Sequence, residues 1–457
     1  MAVLVAAASF AESRGRPLPR IRVSDNHRFL VTADGKPFFY LADTGWELFH
    51  RLNREQAVEY LDTRAAQKFT VVQAVALAEL DGVTTPNAYG KLPLVNGDPA
   101  KPAVAAGEYG YWEHVEYIID EANAHGMYIA LLPAWGSWVN SGGRDRSILT
   151  PGNAQAYGEF LGRRFGKKGI IWILGGDRKP AGYEETWRAL ARGIAIGVAG
   201  KEDYDAVLMS FHPPGGATSS TWFHKDGWLD FNMQQDGHGP PAQSRSWEKI
   251  AADYALTPVK PVLDGEPLYE DHPLAFRAKE LGYSFDAHVR QYAYADTFAG
   301  GCGHTYGNHA VWQMHAPEHT PIHGPLMYWY EAIHRPGAGE MQYLRALLES
   351  RPYLSRVPDQ TIVVHELEGA DHISATRGDG YLFIYSAQGR KFTVRPGKIA
   401  GDRLKGWWYN PRSGDAQAIG EFDNRVEREF APPSEGFGSD WVLVLDDASR
   451  SFPAPGK

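Results

Sequence analysis

Between residues 38 and 306, short apolar, β-branched or aromatic runs alternate with longer stretches in which apolar residues recur at helical spacing. The runs fall at 38–42, 71–77, 128–132, 170–174, 206–210, 229–234, 261–263 and 304–306. The amphipathic stretches fall at 54–67, 112–125, 154–165, 184–196, 245–254 and 287–298. A short apolar run followed by a helical pattern reads as a βα unit, and about eight such units close a (β/α)8 TIM barrel. An α/β barrel is therefore predicted. Ahead of it, 21–28 and 29–36 with the turn Ala33-Asp34-Gly35 predict a strand pair covering the barrel's N-terminal edge. Behind it, a His- and Pro-rich loop at 317–325 leads into an amphipathic segment running through Leu348.

After Arg351-Pro352 the pattern changes to alternating strands separated by Gly, Asp and Asn turns, as in 380–386 (GYLFIYS), 406–410 (GWWYN) and 441–445 (WVLVL). That spacing predicts a small antiparallel β-sandwich. The expected organisation is a leader at 1–20, a barrel at 21–352 and an accessory β-sandwich domain at 353–457. A length of 457 residues suits one large barrel plus one such module.

Composition narrows the partners. Lys and Arg number 46 against 55 Asp and Glu, a formal charge of −9, so the basic footprint of a nucleic-acid binder is missing. A single cysteine, Cys302, forbids an intrachain disulfide and leaves no thiolate cluster for a metal. The segment Met1–Ala11 (MAVLVAAASFA) reads as the tail of an export signal lacking its basic start, which predicts a periplasmic or secreted protein. No later stretch reaches ~18 uninterrupted apolar residues, so no membrane span is expected. A monomer or weak oligomer is expected.

In a barrel of this kind the chemistry lies at the C-terminal ends of the strands. The polar residues there are Asp43 and Trp46 after the first run, Glu79 and Asp81 after the second, and Trp135 after the third. Asp177 and Arg178 follow the fourth, His212 the fifth, Gln235 and His238 the sixth, and Asp264 and Glu266 the seventh. His304 and Tyr306 belong to the eighth. Carboxylates, imidazoles and indoles around one mouth suit a polyhydroxylated substrate, whose hydroxyls both donate and accept while its C–H face packs on Trp. Glycosidic cleavage needs two carboxyl groups astride the bond, one protonated and one ionised. Asp177 and Glu266, from opposite sides of the barrel, are the expected pair. Asp177 as a helix N-cap and Glu266 as an ion-pair partner are the structural alternatives, and Asp264, Glu270 and Asp271 compete with Glu266. The expected sugar-binding residues are Asp43, Trp46, Glu79, Trp135, His212, Gln235, His238, His304 and Tyr306.

The same stretches carry a resemblance. FFYLADTGWELFHRL, VVQAVALAELDG, IIWILGGDR and PVLDGEPLYEDHP, followed by WWYNPRSGDA and DWVLVLDD, resemble glycoside hydrolase family 140, the apiosidase-like barrels with a C-terminal β-sandwich of a type labelled collagen-binding in relatives. The resemblance runs from about Ile21 to near the C-terminus. It implies a retaining β-apiosidase acting on plant glycans such as pectin or on small apiosides, with Asp177 of GGDR as acid/base and Glu266 of DGEP as nucleophile, and no cofactor. Related barrel glycosidases carry Asn-Glu where this chain has Gly176-Asp177.

Two other classes are open at this point. A metal-dependent barrel hydrolase would draw on the 17 histidines, among them His212, His238, His304, His309 and His315. The chain nevertheless lacks His-x-His on the first strand and a His-Glu-x-x-His helix, so no metal is expected. A non-catalytic carbohydrate-binding protein would keep the aromatic platform without the carboxyl pair; the presence of both Asp177 and Glu266 argues against it.

Overall fold

The computed structural model describes residues 17–104, 107–143 and 146–457, so most of the expected leader, including Met1–Ala11, lies outside the described residues. Three short antiparallel strands, β1 (Ile21–Val23), β2 (Leu30–Thr32) and β3 (Pro37–Phe38), precede the barrel. The expected pair is thus three strands, and Ala33-Asp34-Gly35 joins the second to the third. Between the first two the chain turns at Ser24–Arg28, where Ser24 N donates to Phe29 O and His27 N to Ser24 O.

Eight parallel strands follow: β4 (Tyr40–Thr44), β5 (Val71–Leu77), β6 (Tyr128–Ala134), β7 (Ile170–Gly175), β8 (Met209–His212), β9 (Asn232–Gln234), β10 (Val262–Asp264) and β11 (Gly303–Tyr306). They run in the order β8-β7-β6-β5-β4-β11-β10-β9. The seam between β8 and β9 is closed by Asp230 N donating to Met209 O (2.9 Å) and Ser210 Oγ to Phe231 O (2.7 Å). Around them lie α1 (Arg54–Ala66), α2 (Tyr111–Ala124), α3 (Pro151–Phe165), α4 (Glu184–Ala199), α5 (Ser246–Tyr254), α6 (Asp286–Phe298) and α7 (Pro336–Glu349). The periodic stretches are these helices to within a few residues. α1 starts where Asn53 and Gln56 cap each other reciprocally, and α3 starts at Thr150-Pro151 with Asn153 completing the same motif.

The fifth run shifts: 206–210 was expected as strand, but Tyr204–Ala206 closes a tight turn with Val207 N on Tyr204 O, so β8 begins at Met209 and ends on His212. The first strand likewise ends on Thr44 instead of Ala42.

The C-terminal domain has a six-stranded antiparallel sheet, β12 (Val357–Pro358), β13 (Ile373–Gly378), β14 (Tyr381–Ser386), β19 (Trp441–Asp447), β16 (Arg403–Tyr409) and β17 (Ala416–Asp423) in spatial order. A second, two-stranded sheet pairs β15 (Phe392–Val394) with β18 (Arg428–Phe430). Strand alternation sends Leu382, Ile384, Leu443 and Leu445 toward Phe392, Val394 and Phe430 of the second sheet. The opposite parity, Phe383, Tyr385, Val442 and Val444, joins the core of the barrel. There the ring of Tyr385 stacks on Tyr294 of α6 with centroids 4.8 Å apart. Arg290 of α6 grips Asp440 with Nε and Nη2 (3.0 and 2.9 Å).

Candidate active site

Strand parity decides which side chains reach the barrel mouth. Tyr40 Oη donates to Gln73 Oε1 (3.1 Å), and Gln73 Nε2 reaches across to Gly265 O (2.8 Å), so Tyr40, Ala42 and Thr44 face the interior. Asp43 has the other parity. Its Oδ2 accepts from Arg64 Nε of α1 at 2.6 Å and from Tyr60, and all three side chains are fully buried. In β11, Tyr306 is in register with Asp43 and His304 with Leu41, and neighbours in register share a face. Tyr306 accordingly donates to Glu270 and lies under the Arg64 guanidinium. His304 is sealed off entirely, and burial pushes its imidazole down to about 3. Asp43, His304 and Tyr306, all expected to bind sugar, sit instead between barrel and helices, where Asp43 holds α1 and Tyr306 the loop after β10.

The competing carboxylates are also committed elsewhere. Glu270 is fully buried with Tyr306 and Gly337 N. Asp271 accepts from Asn308 Nδ2 (3.0 Å) and Arg335 (2.8 Å). Asp264 Oδ1 accepts from Glu266 N (3.0 Å) while Oδ2 accepts from Gln234 Nε2 (3.1 Å), so it shapes the turn that presents Glu266.

Glu266 itself points into the mouth. His212 Nε2, from the end of β8, stands 3.0 Å from its Oε2, and His238 Nε2 stands 3.2 Å from its Oε1. Trp46 and Trp135 roof this group, their rings 5.4 and 5.8 Å from the His212 ring and 5.2 Å from each other. Burial raises the Glu266 carboxyl, but the contacts with His212 and His238 outweigh it and hold the group down at about 2.

Asp177 approaches from β7 on an unusual turn. Gly175, Gly176 and Asp177 have φ of +92°, +124° and +56° in succession. A Cβ at Gly176 would lie 2.7 Å from the Trp135 ring and 2.9 Å from Gly136 N, so only glycine fits there. The left-handed position at 177 is one that Asp enters at low cost, which gives a physical reason for a short acid here. Its Oδ1 accepts from Gln235 Nε2 (3.2 Å). Burial, reinforced by the charge of Glu266, raises the Asp177 carboxyl above its ordinary range. The two carboxyls thus titrate in opposite directions within one site.

Polar atoms around the pair are left unspent. Trp135 Nε1, Gln235 Oε1 and His238 Nδ1 are buried without a hydrogen-bond partner among the described residues, and so are both His212 nitrogens and Glu266 Oε2, whose 3.0 Å approach is an ion-pair contact without hydrogen-bond alignment; a polyhydroxylated ligand would satisfy such groups. Beside the pair opens a cavity of about 640 Å3, with Glu79, Arg178, Arg146, Arg51, His50 and His319 on its walls. Among the described residues no group of three or more His, Cys, Asp or Glu is placed to hold a metal ion; His238 and His272 instead stack ring on ring at 3.9 Å.

The sequence singled out Trp46, Glu79, Trp135, His212, Gln235 and His238, and the structure gathers all six around Asp177 and Glu266. It adds Tyr269, whose hydroxyl oxygen accepts a hydrogen bond from Trp46 Nε1 (3.2 Å) and lies close enough to feel the charge of Glu266. Tyr269 stands three residues after Glu266 in the DGEPLYEDHP stretch, the one signal that could have found it. His272 and Arg146 come from loops without periodicity.

The apiosidase-like catalytic-domain family model matches residues 24–355, and the model described as "Putative collagen-binding domain of a collagenase" matches residues 357–446. No curated protein matches. Among solved structures, a glycoside hydrolase family 5 protein from Bacteroides vulgatus is 35% identical with a TM-score of 0.88, over 97% of this chain and 95% of its own. A second structure, a glycoside hydrolase, is also 35% identical with a TM-score of 0.88, over 95% of this chain and 98% of its own. With an eight-stranded barrel, a carboxyl pair at its mouth and these matches over nearly the whole length, the chain belongs to the apiosidase-like glycoside hydrolases.

Proposed function

We propose that this glycoside hydrolase is a retaining β-apiosidase that removes terminal apiosyl residues from plant glycans or small apiosides, with Glu266 as nucleophile and Asp177 as acid/base. The observation that carries the reading is the opposed titration of the two groups. Glu266 is held ionised by His212 and His238, while burial and that same charge favour the protonated form of Asp177. Pairs pushed apart in this way divide the roles of a glycosidase.

In the first step Glu266 attacks the anomeric carbon as the glycosidic C–O bond breaks, and Asp177 passes its proton to the departing oxygen. In the second, Asp177, now a carboxylate, takes a proton from water as the water oxygen displaces Glu266. Trp46 and Trp135 supply the apolar wall for the sugar's C–H face, and Gln235, His212 and His238 offer their free polar atoms to its hydroxyls. The nearly closed floor, with Glu266 only 6% exposed, favours one terminal residue over a long chain. The choice of apiose rests on the family. The proposed steps use no metal or cofactor, so EDTA should leave turnover unchanged.

The test is incubation with apiosylated pectin fragments and apiosyl-glucosides, identifying the free sugar by chromatography and its first anomer by NMR. Apiose released with retained configuration is expected. An inverted first product would overturn the double displacement, and the absence of free apiose would overturn the sugar.

A further inference from the structure

Four carboxyl groups meet at the barrel mouth, and the protein supplies donors to three of them. Glu266 has His238 Nε2 within hydrogen-bond reach (3.2 Å) and His212 Nε2 in ion-pair contact at 3.0 Å, and Asp177 has Gln235. Glu47 accepts from Leu80 N (2.9 Å) and pairs with His50 Nδ1 (2.7 Å). The fourth, Glu79, stands just past the end of β5, half-buried on the wall of the cavity beside Arg178. Its backbone is fixed, since its carbonyl accepts from Arg146 Nη2 (2.9 Å). Its carboxyl has no bonding partner among the described residues.

A carboxylate enclosed among other carboxylates without donors is unfavourable, and the two ways out are to take a proton or to meet a ligand. We infer that Glu79 does both: it works as a neutral carboxylic acid whose O–H donates to an oxygen of the bound sugar and whose C=O accepts from a neighbouring hydroxyl, making it a specificity-determining residue of this site. The electrostatics agree. Burial, then the charges of Asp177, Glu47 and Glu266, push Glu79 up to about 8, with Arg178 pulling the other way. The remaining charged or titratable groups on the cavity walls are His50, Arg51, Asp81, Arg146, Glu318 and His319. An acid kept neutral at pH 7 so that it can donate is a known use of such an environment. This inference rests on the proposed roles of Asp177 and Glu266.

The experiment uses a nitrophenyl apioside, whose good leaving group makes the glycosylation step independent of the proton on Asp177, so that the alkaline limb of kcat/KM reports Glu79. In the wild type kcat/KM should fall as pH rises through about 8. Glu79→Gln keeps a donor and an acceptor but cannot ionise, so that fall should vanish. At pH 6 Glu79→Ala should lose about tenfold more kcat/KM than Glu79→Gln, the usual worth of one or two neutral hydrogen bonds. A Glu79→Gln enzyme as impaired as Glu79→Ala, or one keeping the wild-type alkaline fall, would overturn the inference. An enzyme inactive on every apioside fails the proposed sugar instead. The state of Glu79 is then read from its carboxyl carbon by NMR: titration near 8 supports the inference, and titration below 5 overturns it.

Discussion

His212 Nε2 lies 3.0 Å from Glu266 Oε2, on the side of the carboxyl opposite His238. Each imidazole therefore holds one oxygen of a group that burial alone would drive toward its neutral form. Removing either one returns part of that burial effect. In His238→Ala the acid limb of kcat/KM should move up by a pH unit or more, while the alkaline limb, set elsewhere, stays within a few tenths. A pH profile of kcat/KM from 2 to 9 checks this, and an unmoved acid limb would mean that Glu266 is not the ionised group.

Loss of each carboxyl should be rescued differently. Glu266→Ala removes the attacking oxygen, so even a nitrophenyl apioside stays intact. Asp177→Ala removes only proton donation and the later base. A good leaving group still departs in a burst, the glycosyl-enzyme accumulates, and azide releases it as the glycosyl azide. Stopped-flow release of nitrophenol with and without azide distinguishes the two. Normal turnover by Glu266→Ala would reassign the nucleophile.

How much of this was readable beforehand depends on what each residue's position was determined by. The eight runs and the helices between them follow from periodicity, which burial enforces along the whole element. The phase of each strand does not. Runs such as VVQAVAL and YIALLPA are buried on both faces, so apolar alternation gives no sign of which residues point inward. Asp43, His304 and Tyr306 were misplaced for that reason: the carboxylate and phenol that looked like strand-end chemistry satisfy Arg64 and Glu270 on the helix side. Trp46, Trp135, Gln235 and His238 escaped the ambiguity because they stand beyond the strand ends, where the chain turns over the mouth. The strained Gly175-Gly176-Asp177 turn was visible as GGD, but the Trp135 ring that makes glycine necessary there is distant in sequence.

Glu79 should cost the protein stability at neutral pH. Its carboxyl is raised from an ordinary 4.5 to about 8, so between those values the folded protein holds a proton that the unfolded chain has lost. Stability then falls as pH rises through that window, fully present below 4.5 and lost above 8. At pH 7 the loss is on the order of 3 kcal/mol. Glu79→Gln removes the dependence, so its Tm should exceed the wild type's at pH 8 by more than at pH 5. Equal differences at both pH values would mean that Glu79 titrates normally.

The two domains should stand or fall together through Arg290. Its side chain is 1% exposed and is enclosed by three carboxylates: Asp440 of the C-terminal domain (2.9 Å), Asp286 one turn earlier on α6 (2.7 Å) and Glu340 of α7 (2.5 Å). Arg290→Met would leave those acids facing one another with only Arg412, 3.6 Å from Asp440, as a cation nearby, and removing one partner of a buried pair costs about 3–5 kcal/mol. Lysine is no substitute, since its single ammonium cannot span the Asp440 fork and the other two acids together. Adding Asp440→Leu to Arg290→Met removes the most buried of the stranded charges and should recover part of the loss, which urea unfolding of the single and double variants would measure. Because α6 packs behind β10, whose end carries Glu266, the single variant should lose activity over the same urea range in which the domains separate. An Arg290→Met protein as stable as the wild type would mean that the stacked Tyr294 and Tyr385 rings and the apolar face around them hold the interface without the ion cluster.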